Sequence, residues 1–228
     1  MKKTIPITDP INCMLRSRKE VDSCTEQINN YGLIAHPFSC KNFDIMRVVP
    51  RIADGNILDM GSSGGSCILE NAIRIGIEGR KVGIDMEYES DFSKEGVEYF
   101  KGDLIKTTFE NEYFQTLCCL SVLEHGISYT ELAKESARIL KTGGKLFITC
   151  DYFDPKVDTT DVGDKLYGLK WNILDRKDVM ELIEAMSTYG IKITSSMNWE
   201  TKEKVINPQF YAPYGKSYTF CAMEFIKA

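Results

Sequence analysis

Short apolar runs alternate with amphipathic segments through the first two-thirds of this sequence, and few folds accept that pattern. The runs are Asn56–Met60, Lys81–Asp85, Gln115–Leu120 and Lys145–Cys150, with a weaker one at Val97–Lys101. Each is bounded by turn residues and nearly continuous in apolar character, as in strands covered on both faces of a parallel sheet. A helical period is read over Cys67–Ile75, Thr130–Leu140 and Asp175–Tyr189. Ser128 and Glu131 make a capping-box pattern before the second of these, Asp175 caps the third and Gly190 ends it. Strand–helix alternation of this kind predicts a doubly wound, mostly parallel α/β sheet with right-handed crossovers.

The C-terminal part departs from the alternation. Ile191–Ser196 and Ser217–Ile226 read as two strands with no helix between them, and such strands pair antiparallel. The last strand of a seven-stranded, Rossmann-like sheet is therefore expected to run against the others. Helices are expected around Lys19–Asn30, ended by Gly32, and around Lys41–Val49, behind Ser39. These first fifty residues read as a helical cap over the carboxyl edge of the sheet. The expected organisation is one domain over residues 1–228, with 1–50 as cap and 51–228 as α/β core.

The formal net charge is −5, with acids and bases interleaved. That leaves no clustered lysine and arginine for a nucleic-acid backbone, so nucleic acid is not an expected partner. The N-terminal MKKTIPITDPINC lacks the apolar run of a signal peptide. No apolar stretch approaches the roughly 20 residues a membrane span needs, so a cytoplasmic protein is expected. Eight cysteines are scattered along the chain. Cys118, Cys119, Cys150 and Cys221 lie in apolar runs, where a thiol acts as a small hydrophobe, and metal-ligand spacing is absent. Cys67 stands at a helix start, where a thiolate is favoured, against the plainer reading of a small residue packed under a glycine loop.

Ligands of open α/β sheets bind beyond the carboxyl ends of the strands. The first strand ends in Asp59-Met60-Gly61-Ser62-Ser63-Gly64-Gly65-Ser66. Small residues there allow a tight turn and a close approach to a ligand, beside a helix N-terminus. The second strand ends in Asp85-Met86-Glu87, and a carboxylate at that edge can accept both hydroxyls of a ribose. The third ends in Gly102-Asp103-Leu104, where Asp103 can accept from an exocyclic amine. Ser121-Val122-Leu123-Glu124-His125 follows the fourth, and Leu140-Lys141-Thr142-Gly143-Gly144 precedes the fifth.

Taken in order, NILDMGSSGG, VGIDME, FKGDL, CLSVLEH and ILKTGGKLFIT resemble the successive motifs of class I S-adenosylmethionine-dependent methyltransferases. The resemblance runs from about Asn56 to Cys150. It implies that Asp59, Gly61, Ser62, Ser63 and Gly65 surround the methionine part of S-adenosylmethionine. Asp85 would hold the ribose with Met86 against the adenine, Asp103 and Leu104 would bind the adenine edge, and Ser121 and Val122 would line the sulfonium side. Ser63 stands at the middle glycine of the usual first motif, Gln115 where an Asp commonly opens the fourth strand, and Thr142 where a Pro is common. The acceptor implied by analogy is a small molecule or a sugar, with O-methylation ahead of N-methylation.

A hydroxyl acceptor needs its proton removed by a group titrating near neutrality. Of the two histidines, His125 follows strand four and is the first candidate base, against a pocket-shaping role; His36 ranks below it. Asp151 opens the acidic stretch Asp151-Tyr152-Phe153-Asp154-Pro155 with Asp158, Asp161 and Asp164 beyond. It is a second candidate base. The stretch as a whole reads as a solvated loop ahead of a Mg²⁺ site, because no ligand set at defined spacing appears, so no metal is expected. Tyr152, Phe153, Tyr167, Trp171, Phe210, Tyr211 and Tyr214 fall in irregular segments near the ligand edge, where specificity usually resides. A nicotinamide oxidoreductase would explain the loop and Asp85 but not Asp103 or the antiparallel last strand. A catalytically silent methyltransferase-like binding domain is the alternative from another class.

Overall fold

The structure is a computed structural model and describes residues 2–163, 168–209 and 213–228. Among these, nine strands form one sheet: β1 (Cys13–Met14), β2 (Ile57–Met60), β3 (Lys81–Asp85), β4 (Phe92–Lys94), β5 (Val97–Lys101), β6 (Phe114–Leu120), β7 (Leu140–Tyr152), β8 (Ile191–Ile193) and β9 (Thr219–Lys227). Their spatial order is β1-β9-β7-β6-β2-β3-β5-β4, and β8 also pairs with β9. The β2–β3, β2–β6, β3–β5 and β6–β7 pairs are parallel. β9 runs antiparallel to β7, as expected for two final strands without a crossover helix. The sheet thus has the mixed, Rossmann-like architecture anticipated, with two strands beyond the expected seven. β4 is the first, a hairpin arm joined to β5 through Glu95 and Gly96, both at positive φ, the backbone a two-residue turn demands. β1 is the second, a two-residue strand on β9. Polar β4 and short β1 carry no alternation from which to read them.

Period-two side-chain placement divides the core between two faces. Ile57, Cys118 and Phe147 join one apolar cluster, while Leu58, Leu117, Cys119, Leu146 and Ile148 join the other. The helices α1 (Arg18–Asn30), α2 (Asn42–Val48) and α3 (Cys67–Arg74) cover the first face; α4 (Tyr129–Ile139) and α5 (Arg176–Thr188) cover the second. α5 forms because Asp175 and Asp178 make a reciprocal capping box and because Val179, Leu182 and Met186 recur on one buried stripe. α1 has a Ser17 cap, without the reciprocal bond, and buries Val21, Cys24 and Ile28 on one stripe.

Ser39 does not cap α2. The chain winds there as a short 3-10 turn, Ser39–Lys41, and the Ser39 hydroxyl accepts from Arg18 at 3.3 Å. That turn carries Lys41, and α2 carries Asp44, to the carboxyl ends of the parallel strands.

Candidate active site

The five parallel strands point the same way, and chain order reverses between β2 and its neighbours β3 and β6. A cleft of about 780 Å³ opens at that reversal, where ligands of doubly wound sheets bind. Its size is within the usual range of small-molecule and cofactor sites. Of the residues selected from the sequence, Asp59, Gly61, Ser62, Ser63, Gly65, Asp85, Met86, Leu104, Ser121, Val122, His125 and Asp151 all line it. Asp103 is outside the lining; it is exposed, and one of its carboxylate oxygens accepts the Ile105 N–H at 3.0 Å.

The loop after β2 is built for close approach. Gly61 has φ +80°, and a Cβ there would sit 2.5 Å from Val122 Cγ2. Gly83 in β3 has no room either: a Cβ would meet Ser62 Oγ at 2.5 Å and the Tyr99 ring at 2.6 Å. Ser62 Oγ in turn lies 2.7 Å from the Tyr88 hydroxyl. Ser63 adopts φ +49°, the left-handed region that glycine favours. The serine at the expected middle glycine is thus accommodated at some backbone cost, rather than by a different turn. Gly61→Ala combines that cost with the collision at Val122, about 2–4 kcal/mol together. Chemical denaturation should show this loss, and Gly61→Ala/Val122→Ala should recover the collision part while the φ part persists.

Asp85 closes the other side of the loop. Its two oxygens accept the Ser63 N–H and the Glu87 N–H, each at 2.9 Å. This fixes the carboxylate in one orientation beside Met86, which is 61% exposed. Asp59 is buried and hydrogen-bonded by Ser66; burial pushes its carboxyl up to about 6. Cys67 is half-buried and burial raises its thiol, so the helix start does not make it a thiolate.

The opposite end of the cleft holds a polar cluster that sequence reasoning largely missed. Lys41, Asp44, Glu124 and Asp151 meet there. The Lys41 ammonium lies 3.5 Å from Asp44, donates to Ser121 Oγ and stands 4.1 Å from the Phe220 ring centroid. Trp171 Nε1 donates to Asp151 Oδ2 at 2.8 Å. Asp44, Glu124 and Asp151 all have raised carboxyls, chiefly through burial, with Lys41 opposing the shift; Asp151 reaches about 6. His125 and His36 are both lowered by burial and by Lys41, and therefore neutral at pH 7.

An aromatic wall completes this end. Trp171 meets Tyr218 edge-on at 5.5 Å, Tyr218 meets Phe220 at 6.1 Å, and Phe38 meets Phe220 at 6.5 Å. Among the loop aromatics singled out above, Trp171 lines the cleft. Tyr152 packs near Trp199 and Phe153 under Lys204; Tyr167, Phe210 and Tyr211 lie outside the described residues, as does Asp164. The acidic stretch is otherwise locally satisfied: Asp158 accepts from Thr160, and Asp161 pairs with Lys216 at 2.5 Å. Among the described residues, no three His, Cys, Asp or Glu side chains are grouped to hold a metal ion, and no helix is long and apolar enough to cross a membrane.

The raised carboxyls have a consequence for stability. Asp59 and Asp151 bind protons more tightly in the folded chain than in the unfolded one, where an Asp titrates near 3.9. The stabilisation they give is complete below that value and is lost as the pH rises through about 6. The share of stability due to these two carboxyls should therefore be larger at pH 5.5 than at pH 8, by about 2 kcal/mol, while the lowered imidazoles of His36 and His125 act in the opposite sense over the same span. Chemical denaturation of wild type against Asp59→Asn/Asp151→Asn should show it as a difference in pH dependence; equal slopes would contradict the raised carboxyls.

The family model described as a methyltransferase domain matches residues 58–148, from β2 to within β7. No curated protein sequence matches the chain. Among solved structures, geranyl diphosphate C-methyltransferase from Streptomyces coelicolor A3(2), in complex with Mg²⁺, geranyl diphosphate and S-adenosyl-L-homocysteine, superposes with a TM-score of 0.61. The identity is 12%, over 99% of this chain and 91% of that one. Phosphoethanolamine N-methyltransferase 2 from Haemonchus contortus, in complex with S-adenosyl-L-methionine, gives 0.56 at 14% identity, over 82% and 52% of the two chains. At such identities the likeness is one of fold. The match to the methyltransferase domain covers residues 58–148, the same stretch whose motif order and strand-end carboxylates resemble those of class I S-adenosylmethionine-dependent methyltransferases.

Proposed function

We propose that residues 1–228 act as one unit that transfers a methyl group from S-adenosylmethionine to the hydroxyl of a small molecule or sugar. The observation that carries the hydroxyl reading is Asp151, a carboxyl held near 6 at the acceptor end of the cleft. A group titrating there accepts a proton efficiently at neutral pH. Asp59, Gly61, Ser62, Ser63 and Gly65 would hold the methionine part of the cofactor, which supplies a methyl group on a sulfonium and leaves as a neutral thioether. Asp85 would accept the ribose hydroxyls, Met86, Asp103 and Leu104 would bound the adenine, and Ser121 and Val122 would flank the sulfonium.

The protein's remaining task is alignment and exclusion of water. Phe38, Trp171, Tyr218 and Phe220 form an apolar wall at the acceptor end, with half-buried Phe38 the most open to a ring or the apolar face of a sugar. The acceptor oxygen gains the methyl and loses its proton to Asp151. His125, a neutral imidazole on the same wall, shapes the pocket in this reading. Of the similar folds, one acts on geranyl diphosphate as a C-methyltransferase and another is a phosphoethanolamine N-methyltransferase, so fold leaves the acceptor open and the site must decide it.

The test is calorimetric titration with S-adenosylmethionine and S-adenosylhomocysteine, followed by mass-spectrometric screening of hydroxyl and amine acceptors. Micromolar binding with methylation confined to hydroxyls is the expected result. Binding with methylation of amines alone would replace the O-methyl reading; no binding by a folded sample would remove the cofactor assignment.

A further inference from the structure

The buried cluster holds three carboxyls, Asp44, Glu124 and Asp151, against the single ammonium of Lys41. Lys41 is committed to Asp44 and Ser121. Glu124 is 2% exposed, and its Oε2 has neither solvent nor a hydrogen-bond donor. Its carboxyl lies within hydrogen-bonding reach of Asp151. Two carboxylates cannot bond each other without a proton between them, and an ionised oxygen left in this position would be uncompensated.

We infer that Glu124 is a positioning residue of the acceptor site, a carboxylic acid whose proton bridges to Asp151 and keeps Asp151 ionised to receive the proton of the acceptor hydroxyl. This rests on the base role proposed for Asp151. The asymmetry within the pair follows from its neighbours. Asp151 accepts from Trp171 Nε1 and then from Glu124, two donors that favour its charged form. Glu124 has no donor at Oε2 and only its own backbone N–H to favour a charge, so it retains the proton. Burial together with the Asp151 charge pushes the Glu124 carboxyl well above the usual range. Of the other groups around the pair, Asp44 also has an unpartnered Oδ1 and a carboxyl raised by burial, but it stands 3.5 Å from the Lys41 ammonium, which favours its charged form. Cys119 and Cys150 are buried thiols raised by burial or by a neighbouring thiol, and the imidazoles of His36 and His125 are kept neutral.

The 3-10 turn Leu123–His125 and the segment carrying Trp171 set this geometry. The Asn172 N–H donates to the Glu124 carbonyl at 2.7 Å, and the Leu174 N–H to the Asp151 carbonyl at 2.9 Å. One strand of chain thus fastens both carboxyl-bearing residues, with Trp171 Nε1 hydrogen-bonded to Asp151. Transfer then balances simply. The acceptor O–H breaks, the oxygen takes the methyl as its bond to sulfur breaks, and the proton passes to Asp151.

The experiment is a carbon-13 carboxyl titration by NMR, without cofactor or acceptor, on the full chain and on Glu124→Gln and Glu124→Ala. Gln keeps a neutral donor, so the Asp151 midpoint should stay within about half a unit of its original value. Ala removes the donor, and the midpoint should move by about one unit or more. In acid-limb pH profiles of kcat, Gln should retain activity within about 3-fold while Ala loses roughly 30-fold or more at pH 7. An Asp151 midpoint that falls by more than about one unit in Glu124→Gln would mean that Glu124 is ionised in the native chain, and would overturn the shared proton. Full turnover in Asp151→Asn would reject the base role, while the titration still decides the bridge.

Discussion

Asp85→Ala is expected to weaken both S-adenosylmethionine and S-adenosylhomocysteine by about 100-fold or more in calorimetric titration. The carboxylate would accept two ribose hydroxyls, each charge-assisted bond contributing about 1.5–3 kcal/mol. Their sum exceeds the roughly 2.7 kcal/mol that a hundredfold change requires. The two ligands share the ribose and differ at sulfur, so they should weaken in parallel. A loss confined to S-adenosylmethionine would put Asp85 near the sulfonium instead. The substitution also frees the Ser63 and Glu87 N–H groups that the carboxylate now pins. Asp85→Asn retains one acceptor oxygen, so it still accepts from one of the two N–H groups while losing most of the affinity.

Asp151→Asn should lower kcat by about 10²–10⁴-fold, the usual contribution of a positioned base, with cofactor affinity changed by less than about 3-fold. Asn cannot take a proton, yet it preserves an oxygen for Trp171. The wild-type rate should rise with pH through about 6 as the carboxyl ionises; Asp151→Asn should have no such limb. His125→Asn is expected to cost less than about 10-fold, because a pocket-shaping residue acts on alignment alone. If His125→Asn carries the large loss and Asp151→Asn the small one, the imidazole is the base and the two roles exchange.

The two halves of the cleft were unequally legible in the sequence. The cofactor half comes from strand ends and the loops that follow them, so Asp59, Gly61, Asp85 and Leu104 sit where strand period and turn residues put them. Glu124 was visible only as part of the segment after β6, with nothing to mark its burial against Asp151. Tyr218 and Phe220 reach the cleft because β9 is antiparallel, which brings its N-terminal end to the edge where the parallel strands end. That direction was predicted; the contribution of its aromatics to the site was not drawn from it. Lys41 and Asp44 come from an N-terminal 3-10 turn and helix far away along the chain, and no local period marks them.

What the sequence determined by itself was the sheet, its direction and the carboxyl edge at which a ligand binds, since these follow from hydrophobic period, caps and turn residues acting over a few neighbours. The pairing of Glu124 with Asp151, the placement of Lys41 against Asp44 and the aromatic wall were decided only by tertiary structure. Burial, and with it the proton affinity of a carboxyl, depends on which distant segments exclude water from it, and no spacing along a single chain encodes that.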